Sequence, residues 1–342
     1  MSLPKPELEL SSDLDEIVRR LEIAVQKRLG ENATVANISV ATLGGSSRTI
    51  LFDLVDGSSW QRLVSRQETY LLDASPFLPP EMQFKLLQLA YKHGVPVPEP
   101  IFEFVDEDGL GRGHIMAHVA GETLPKRLLQ DPQYAYARAN FVGQAADILV
   151  RLHAIDKQEA AFLDDTLDSV DPLQAQIERY DYYGEPHPAL DYGFRWLEQH
   201  RPAKPAHCLV HGDFRNGNML VDKDGIQAVL DWECAHIGDP MADLGWLCTR
   251  SWRFGNDELH AGGFGTRASL FDAYEAAGGR TVDREAVHWW EIFGSMRWAM
   301  LNIMQIHGHL HGGRRSPAFA ACGRNASLME YDLLMTIADR LD

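Results

Sequence analysis

The apolar residues of this 342-residue chain change their period near residue 119, and that change limits the folds open to it more than any other feature. Before it, short runs rich in β-branched residues, 35–43 (VANISVATL), 49–55 (TILFDLV) and 60–65 (WQRLVS), are separated by Gly44-Gly45-Ser46-Ser47 and by Asp56-Gly57-Ser58. That pattern predicts an antiparallel meander with two turns. A helix over 12–29 precedes it, with Leu14, Ile17, Val18, Leu21 and Val25 at helical spacing up to Gly30. A second helix, about 80–92, is opened by Pro79-Pro80 and stopped at Gly94, and VPVPEP (95–100) then forms a connector that neither a helix nor an inner strand tolerates. IFEFV (101–105) and HIMAHV (114–119) predict another hairpin. From there the spacing is helical, interrupted by one β-like segment at 208–231. The expectation is an α+β chain of two lobes, a small sheet-rich one over 1–119 and a larger, mainly helical one over 120–342, with a hinge at about 116–121.

Composition narrows the functional classes. A 45% hydrophobic, 24% charged chain is an ordinary globular composition. It contains no run of about 18 or more apolar residues to span a bilayer, and MSLPKPELEL lacks the features of a signal peptide, so a cytoplasmic protein without a membrane partner is expected. Cys208, Cys234, Cys248 and Cys322 form no CxxC pair and read as reduced thiols rather than a disulfide or zinc framework. The net charge of −17 argues against a nucleic-acid surface and is compatible with cationic ligands.

The informative segment is CLVHGDFRNGNMLVDKDGIQAVLDWE (208–233). Residues 219–222 and 226–230 flank a Lys-Asp-Gly turn, and pairing across it sets Asn218 opposite Val229 or Leu230, next to Asp231. Asp213, five residues before Asn218, feeds the same open end. Two aspartates eighteen residues apart thus converge with an amide oxygen, a set that suits Mg²⁺, a hard ion satisfied by one or two protein oxygens plus phosphate and water.

This segment, HGDFRNGN followed by LDWE and GDPMADLGWL (238–247), resembles the catalytic region of the aminoglycoside phosphotransferase and choline kinase-like family, which shares the protein-kinase-like fold. Within that family it is most similar to the branch found beside acyl-CoA dehydrogenase domains. The likeness covers most of the chain, with specific motifs only at 211–247. It implies that Asp213 orients an acceptor hydroxyl and takes its proton, that Asn218 and Asp231 hold Mg²⁺ on the phosphates, and that His211 braces the loop. Arg215, two residues after Asp213, would stabilise the transferred phosphate. Asp239 and Asp243 match the GDPxxDL segment, where an aspartate also serves as a helix cap.

On the nucleotide side, Gly44, Gly45, Ser46 and Ser47 stand where a phosphate-facing turn is expected, without a Walker A or GxGxxG pattern. The resemblance places Arg66 where a kinase relative carries its third-strand lysine. Either Glu81 reaches Arg66 or Gln83 serves as a neutral partner. Met116 to Val119 would present backbone groups to the purine. His307, His309 and His311 lack acidic or thiol neighbours at metal-ligand spacing. Trp246, Trp252, Trp289, Trp290 and Trp298 concentrate aromatic area in the helical lobe, chiefly as core, with one or two available to line an acceptor pocket. The resulting expectation is a kinase that moves the γ-phosphate of ATP, with GTP also open, onto the hydroxyl of a small molecule, cationic or partly apolar. The alternative is a nucleotide-binding pseudokinase or regulatory module on the same fold, favoured only by Arg66 and Gln83.

Overall fold

The computed structural model describes residues 13–41, 47–69, 74–203, 206–312 and 315–339. It divides into two compact units. One comprises Met1–Leu71, Pro79–Gln88 and Pro98–His118, and the other Leu72–Leu78, Leu89–Val97 and Val119–Asp342.

The first unit is built on a five-stranded antiparallel sheet in the order β1-β2-β3-β5-β4, formed by β1 (Thr34–Val40), β2 (Ser47–Asp56), β3 (Ser59–Glu68), β4 (Pro100–Glu103) and β5 (Gly113–Ala117). Helix α1 (Leu14–Leu29), capped by the Asp13 carboxylate accepting from the Asp15 N–H at 3.0 Å, packs Ile17, Leu21 and Val25 against Ile50, Phe52, Leu63 and Ile115. Each fully buried side chain of this size is worth about 1.5–3 kcal/mol, which fixes the register. Phe52 pairs with Leu63 and Ser65 with Ile115, so these residues share the face toward α1. Arg66, paired with Thr49 and His114, therefore lies on the other face, where Phe84 of α2 (Pro80–Lys92) approaches the His114 ring at 5.5 Å.

The second unit is mainly helical: α3 (Pro125–Gln130), α4 (Ala135–His153), α5 (Leu167–Val170), α6 (Pro172–Tyr183), α7 (Pro188–Gln199), α8 (Met241–Cys248), α9 (Arg267–Ala276), α10 (Arg284–His311) and α11 (Pro317–Ala338). Helix α10 is buried on nearly every side between α8 and α11, as its apolar sequence requires. It runs through Gly308 to His311 and is closed by Gly312. Two small antiparallel ribbons carry the β-like segment: β6 (Cys208–Val210) with β9 (His236–Gly238), and β7 (Met219–Val221) with β8 (Ile226–Val229). The segment thus extends past the expected end at residue 231. Three residues of β9 are too few to show a period, and only their pairing with β6 defines them as a strand.

All four cysteines are unpaired thiols. No helix among the described residues is long and apolar enough to cross a membrane.

Candidate active site

The site grows from the turn between β7 and β8. The Asp222 carboxylate accepts from the N–H groups of Asp224 and Gly225 at 2.8 and 3.1 Å, and Gly225 supplies a backbone angle φ of 136° that side chains disfavour. The register that follows pairs Met219 with Val229 and Leu220 with Ala228, and the Leu230 N–H reaches the Asn218 carbonyl at 2.8 Å. Asn218 and Asp231 are thus brought to the open end of the hairpin. Asp231 holds a left-handed backbone (φ 61°, ψ 62°), a conformation that costs a non-glycine residue on the order of 1 kcal/mol and is tolerated best by Asp and Asn. It turns the chain sharply out of β8 at that point.

The loop from His211 to Asn218 is fixed from beneath by Asp243, a fully buried carboxylate in α8. Its oxygens accept from the N–H groups of His211 and Gly212, both at 2.9 Å, and from His153 Nε2 at 3.1 Å. Burial alone would raise this carboxyl, but the His153 hydrogen bond and the His211 backbone N–H hold it below the usual range. Asp239 does cap locally, accepting from the Met241 N–H at 3.0 Å. Asp243 does not act as a cap: it lies within α8 and ties that helix to the loop. Gly212 is required by its surroundings, since at φ 73° a Cβ would meet the Cys234 carbonyl oxygen at 2.2 Å.

His211 is fully buried, and both ring nitrogens are committed to backbone: Nδ1 accepts from the Asp213 N–H at 3.1 Å and Nε2 donates to the Leu230 carbonyl at 3.0 Å. That pattern needs the neutral ring, and burial pushes its pKa down. With no free lone pair, His211 is a brace between the loop and the hairpin end.

The Asp213 carboxylate receives three donors. Oδ1 accepts from Trp246 Nε1 at 2.8 Å and Arg215 Nε at 3.1 Å, and Oδ2 accepts from Asn218 Nδ2 at 2.5 Å. Arg215 also lies over Trp252, 4.4 Å from the ring centroid, and Trp252 sits between Trp246 and Trp298 at 5.3 and 5.1 Å. Trp289 and Trp290 are core residues whose indole N–H groups bond Leu197 and Asp239. With Nδ2 committed to Asp213, Oδ1 is the atom Asn218 would offer a cation. Together with the Asp231 carboxylate this is a hard, all-oxygen donor pair, which fits Mg²⁺ completed by phosphate and water. No group of three or more His, Cys, Asp or Glu side chains suited to a metal occurs among the described residues, the His307–His311 region included.

In the first unit, Gly44, Gly45 and Ser46 lie outside the described residues, while Ser47 opens β2 opposite Glu68. Arg66 is near the end of β3. Glu81 is engaged elsewhere, forking onto Arg112 with two contacts of 2.7 Å, and Arg112 also meets Glu68 at 3.1 Å. Both oxygens of Glu81 are thus bound to Arg112. Met116 pairs with Val64 and Pro100 in β5, and Val119 follows the strand just beyond His118, whose N–H bonds the Arg62 carbonyl.

Comparison with known proteins gives this arrangement a family. The family model described as "Phosphotransferase enzyme family" matches residues 41–290. The chain belongs to that family. The mouse (Mus musculus) protein acyl-CoA dehydrogenase family member 10 is 30% identical over 179 residues, a match that takes in 49% of this chain but only 16% of that protein. Among solved structures, a Ralstonia eutropha JMP134 chain provisionally assigned as an aminoglycoside phosphotransferase is 25% identical, with a TM-score of 0.70 over 93% of this chain and 97% of that one. The ternary complex of APH(2″)-IIa with streptomycin and ATP shares the fold at 18% identity, with a TM-score of 0.57 over 86% and 91% of the two chains. The chain has a bilobal α+β kinase-like fold.

Three residues of the candidate site make contacts that the sequence does not show. Asp243 reads as a cap, Trp246 as core or pocket wall, and Arg297 belongs to no motif. The only sequence signal for Arg297 is a charge inside the apolar run GSMRWAM (294–300) of α10.

Proposed function

We propose that this phosphotransferase moves the γ-phosphate of ATP onto a hydroxyl of a small molecule, with Asp213 as the catalytic carboxylate. The observation that carries this reading is the Asp213 carboxylate held by Trp246, Arg215 and Asn218 beside the Asn218–Asp231 end of the hairpin. Three fixed donors remove rotational freedom from the side chain, so that little reorganisation is needed when a hydroxyl arrives. The acceptor oxygen forms a bond to the γ-phosphorus while the bond to the β–γ bridging oxygen breaks, ADP leaves with that electron pair, and the hydroxyl proton passes to Asp213. Mg²⁺, held by Asn218 Oδ1 and the Asp231 carboxylate, supplies charge neutralisation on the phosphate oxygens when bound. Arg215 is next to Asp213 and adds positive charge where the transferred group develops negative charge. Arg66 is the candidate phosphate contact of the first unit.

ATP is favoured as donor by its presence in the APH(2″)-IIa complex, and a cytoplasmic protein fits the reading. Trp246 and Trp252 are buried, so the half-buried Trp298 is the indole of this cluster that could line a partly apolar acceptor, and the Arg215 guanidinium beside Asp213 weighs against a polycationic one. Incubation with Mg²⁺-ATP and a panel of amino alcohols, sugars, hydroxy acids and aminoglycosides, read by mass spectrometry, tests this. A phosphomonoester of at least one hydroxyl compound is expected. Tight ATP binding with no phosphoryl transfer to any acceptor or to water would replace the reading with the pseudokinase alternative.

A further inference from the structure

Arg297 projects from α10 into the second unit, only 5% exposed. A guanidinium placed there without a counter-charge costs several kcal/mol, so its presence calls for a reason. Among the described residues it forms no salt bridge. The carboxylates whose field it feels are those of Asp168 and Asp213. Each is paired with another arginine, Asp168 with Arg179 at 2.7 Å and Asp213 with Arg215 at 3.1 Å. Arg297 is therefore a buried cation that shares both carboxylates with other arginines instead of owning one.

Its contacts show where that cation acts. Nη1 donates to the Gly212 carbonyl, and the guanidinium lies over Trp246, 5.0 Å from the ring centroid. The Gly212 carbonyl and the Asp213 N–H are the two ends of one peptide unit, and the N–H is already bound to His211 Nδ1. Both ends of the peptide plane that precedes the Asp213 Cα are thus gripped by buried side chains. The ring beneath Arg297 is the same indole whose N–H holds Asp213 Oδ1.

We propose that Arg297 is a positioning residue for Asp213, setting the Gly212–Asp213 peptide plane and the Trp246 indole so that the carboxylate is aimed at the acceptor hydroxyl. The inference rests on Asp213 being the catalytic carboxylate. A 1 Å misplacement of such a group can cost on the order of 10²-fold in rate. A residue that only supports the fold would change stability instead.

The test uses Mg²⁺-ATP with water as the acceptor, read as ADP release, on the full chain carrying Arg297→Met, Arg297→Lys, Asp213→Asn, and Arg297→Met combined with Asp213→Asn. Arg297→Met fills the space without the charge, and the melting temperature is expected to stay within a few degrees of wild type, since buried charges replaced by apolar groups of similar volume are often neutral or stabilising. Its kcat should fall by about 10- to 100-fold with KM for ATP within about 3-fold. Arg297→Lys keeps the charge but not the flat group on Trp246, and should lose about 3- to 10-fold, which decides the matter if the Met variant does not fold. The double variant should be no slower than Asp213→Asn alone, because the two act as a unit. Wild-type kcat in the folded Arg297 variants, or multiplicative losses in the double variant, would overturn the positioning role while leaving Asp213 in place. Wild-type turnover in Asp213→Asn, or no ADP release by the wild-type chain with water or with any acceptor of the panel, would overturn both readings.

Discussion

Two buried histidines, one in each unit, are treated in opposite ways. Around the 211–218 loop, Asp243 takes two backbone N–H groups and His153, His211 joins two backbone groups, and Asp213 takes three donors. In the sheet of the first unit, His114 is 2% exposed and neither ring nitrogen has a hydrogen-bond partner. Burial, followed by the charge of Arg66, pushes its pKa down to about 3, so the ring is neutral beside that guanidinium. A carboxylate that must meet a proton at a fixed place needs its surroundings wired to it. A strand that offers one cation needs only a neutral neighbour that does not compete with it.

The strongest way to break this contrast is Asp243→Ala. Removing the anchor leaves two loop N–H groups and His153 without their acceptor, and a loss of about 3–5 kcal/mol of stability is expected in urea unfolding at pH 7. A loss below about 1 kcal/mol would show that the loop holds itself. The pH dependence gives the sign independently. The folded pKa of Asp243 is lowered, so its ionised form stabilises the fold above the ordinary aspartate value near pH 4, and that contribution is lost as pH falls further. The gap between wild type and variant should therefore narrow below about pH 4.

A smaller effect is expected in the first unit. Arg66→Ala should weaken Mg²⁺-ATP binding by about 10-fold in calorimetry with little change in stability, and Arg66→Lys should keep part of the affinity, since a point charge replaces a fork only partly. Equal affinity in all three proteins would move the phosphate contact away from β3.

What the sequence revealed follows the same division. The hairpin and its ends were legible because Asp213, Asn218 and Asp231 are joined by one turn whose Lys-Asp-Gly residues set the register, and Met219 does pair with Val229. The five strands of the first unit were legible from β-branched runs and Gly turns, to within a few residues. Contacts between distant segments were not. Nothing near Glu81 in the chain points to Arg112, thirty-one residues on, and nothing near Asp213 points to Arg297, on a helix that passes behind it only once the unit has packed. Asp243 misled because an aspartate near a helix start serves equally as a cap or as an anchor, and only the position of the loop backbone distinguishes the two.

The central claim is that Asp213 acts on the acceptor proton and not on nucleotide binding, and Asp213→Asn tests it most directly. Asn keeps the size and part of the hydrogen bonding but cannot take the proton. Paired measurements of Mg²⁺-ATP affinity by calorimetry and of turnover with an acceptor from the panel should show Kd within about 2-fold of wild type and kcat lower by about 10²-fold or more. Wild-type turnover in the Asn variant would remove Asp213 from the mechanism, and loss of nucleotide binding in a folded variant would place it in the metal site instead.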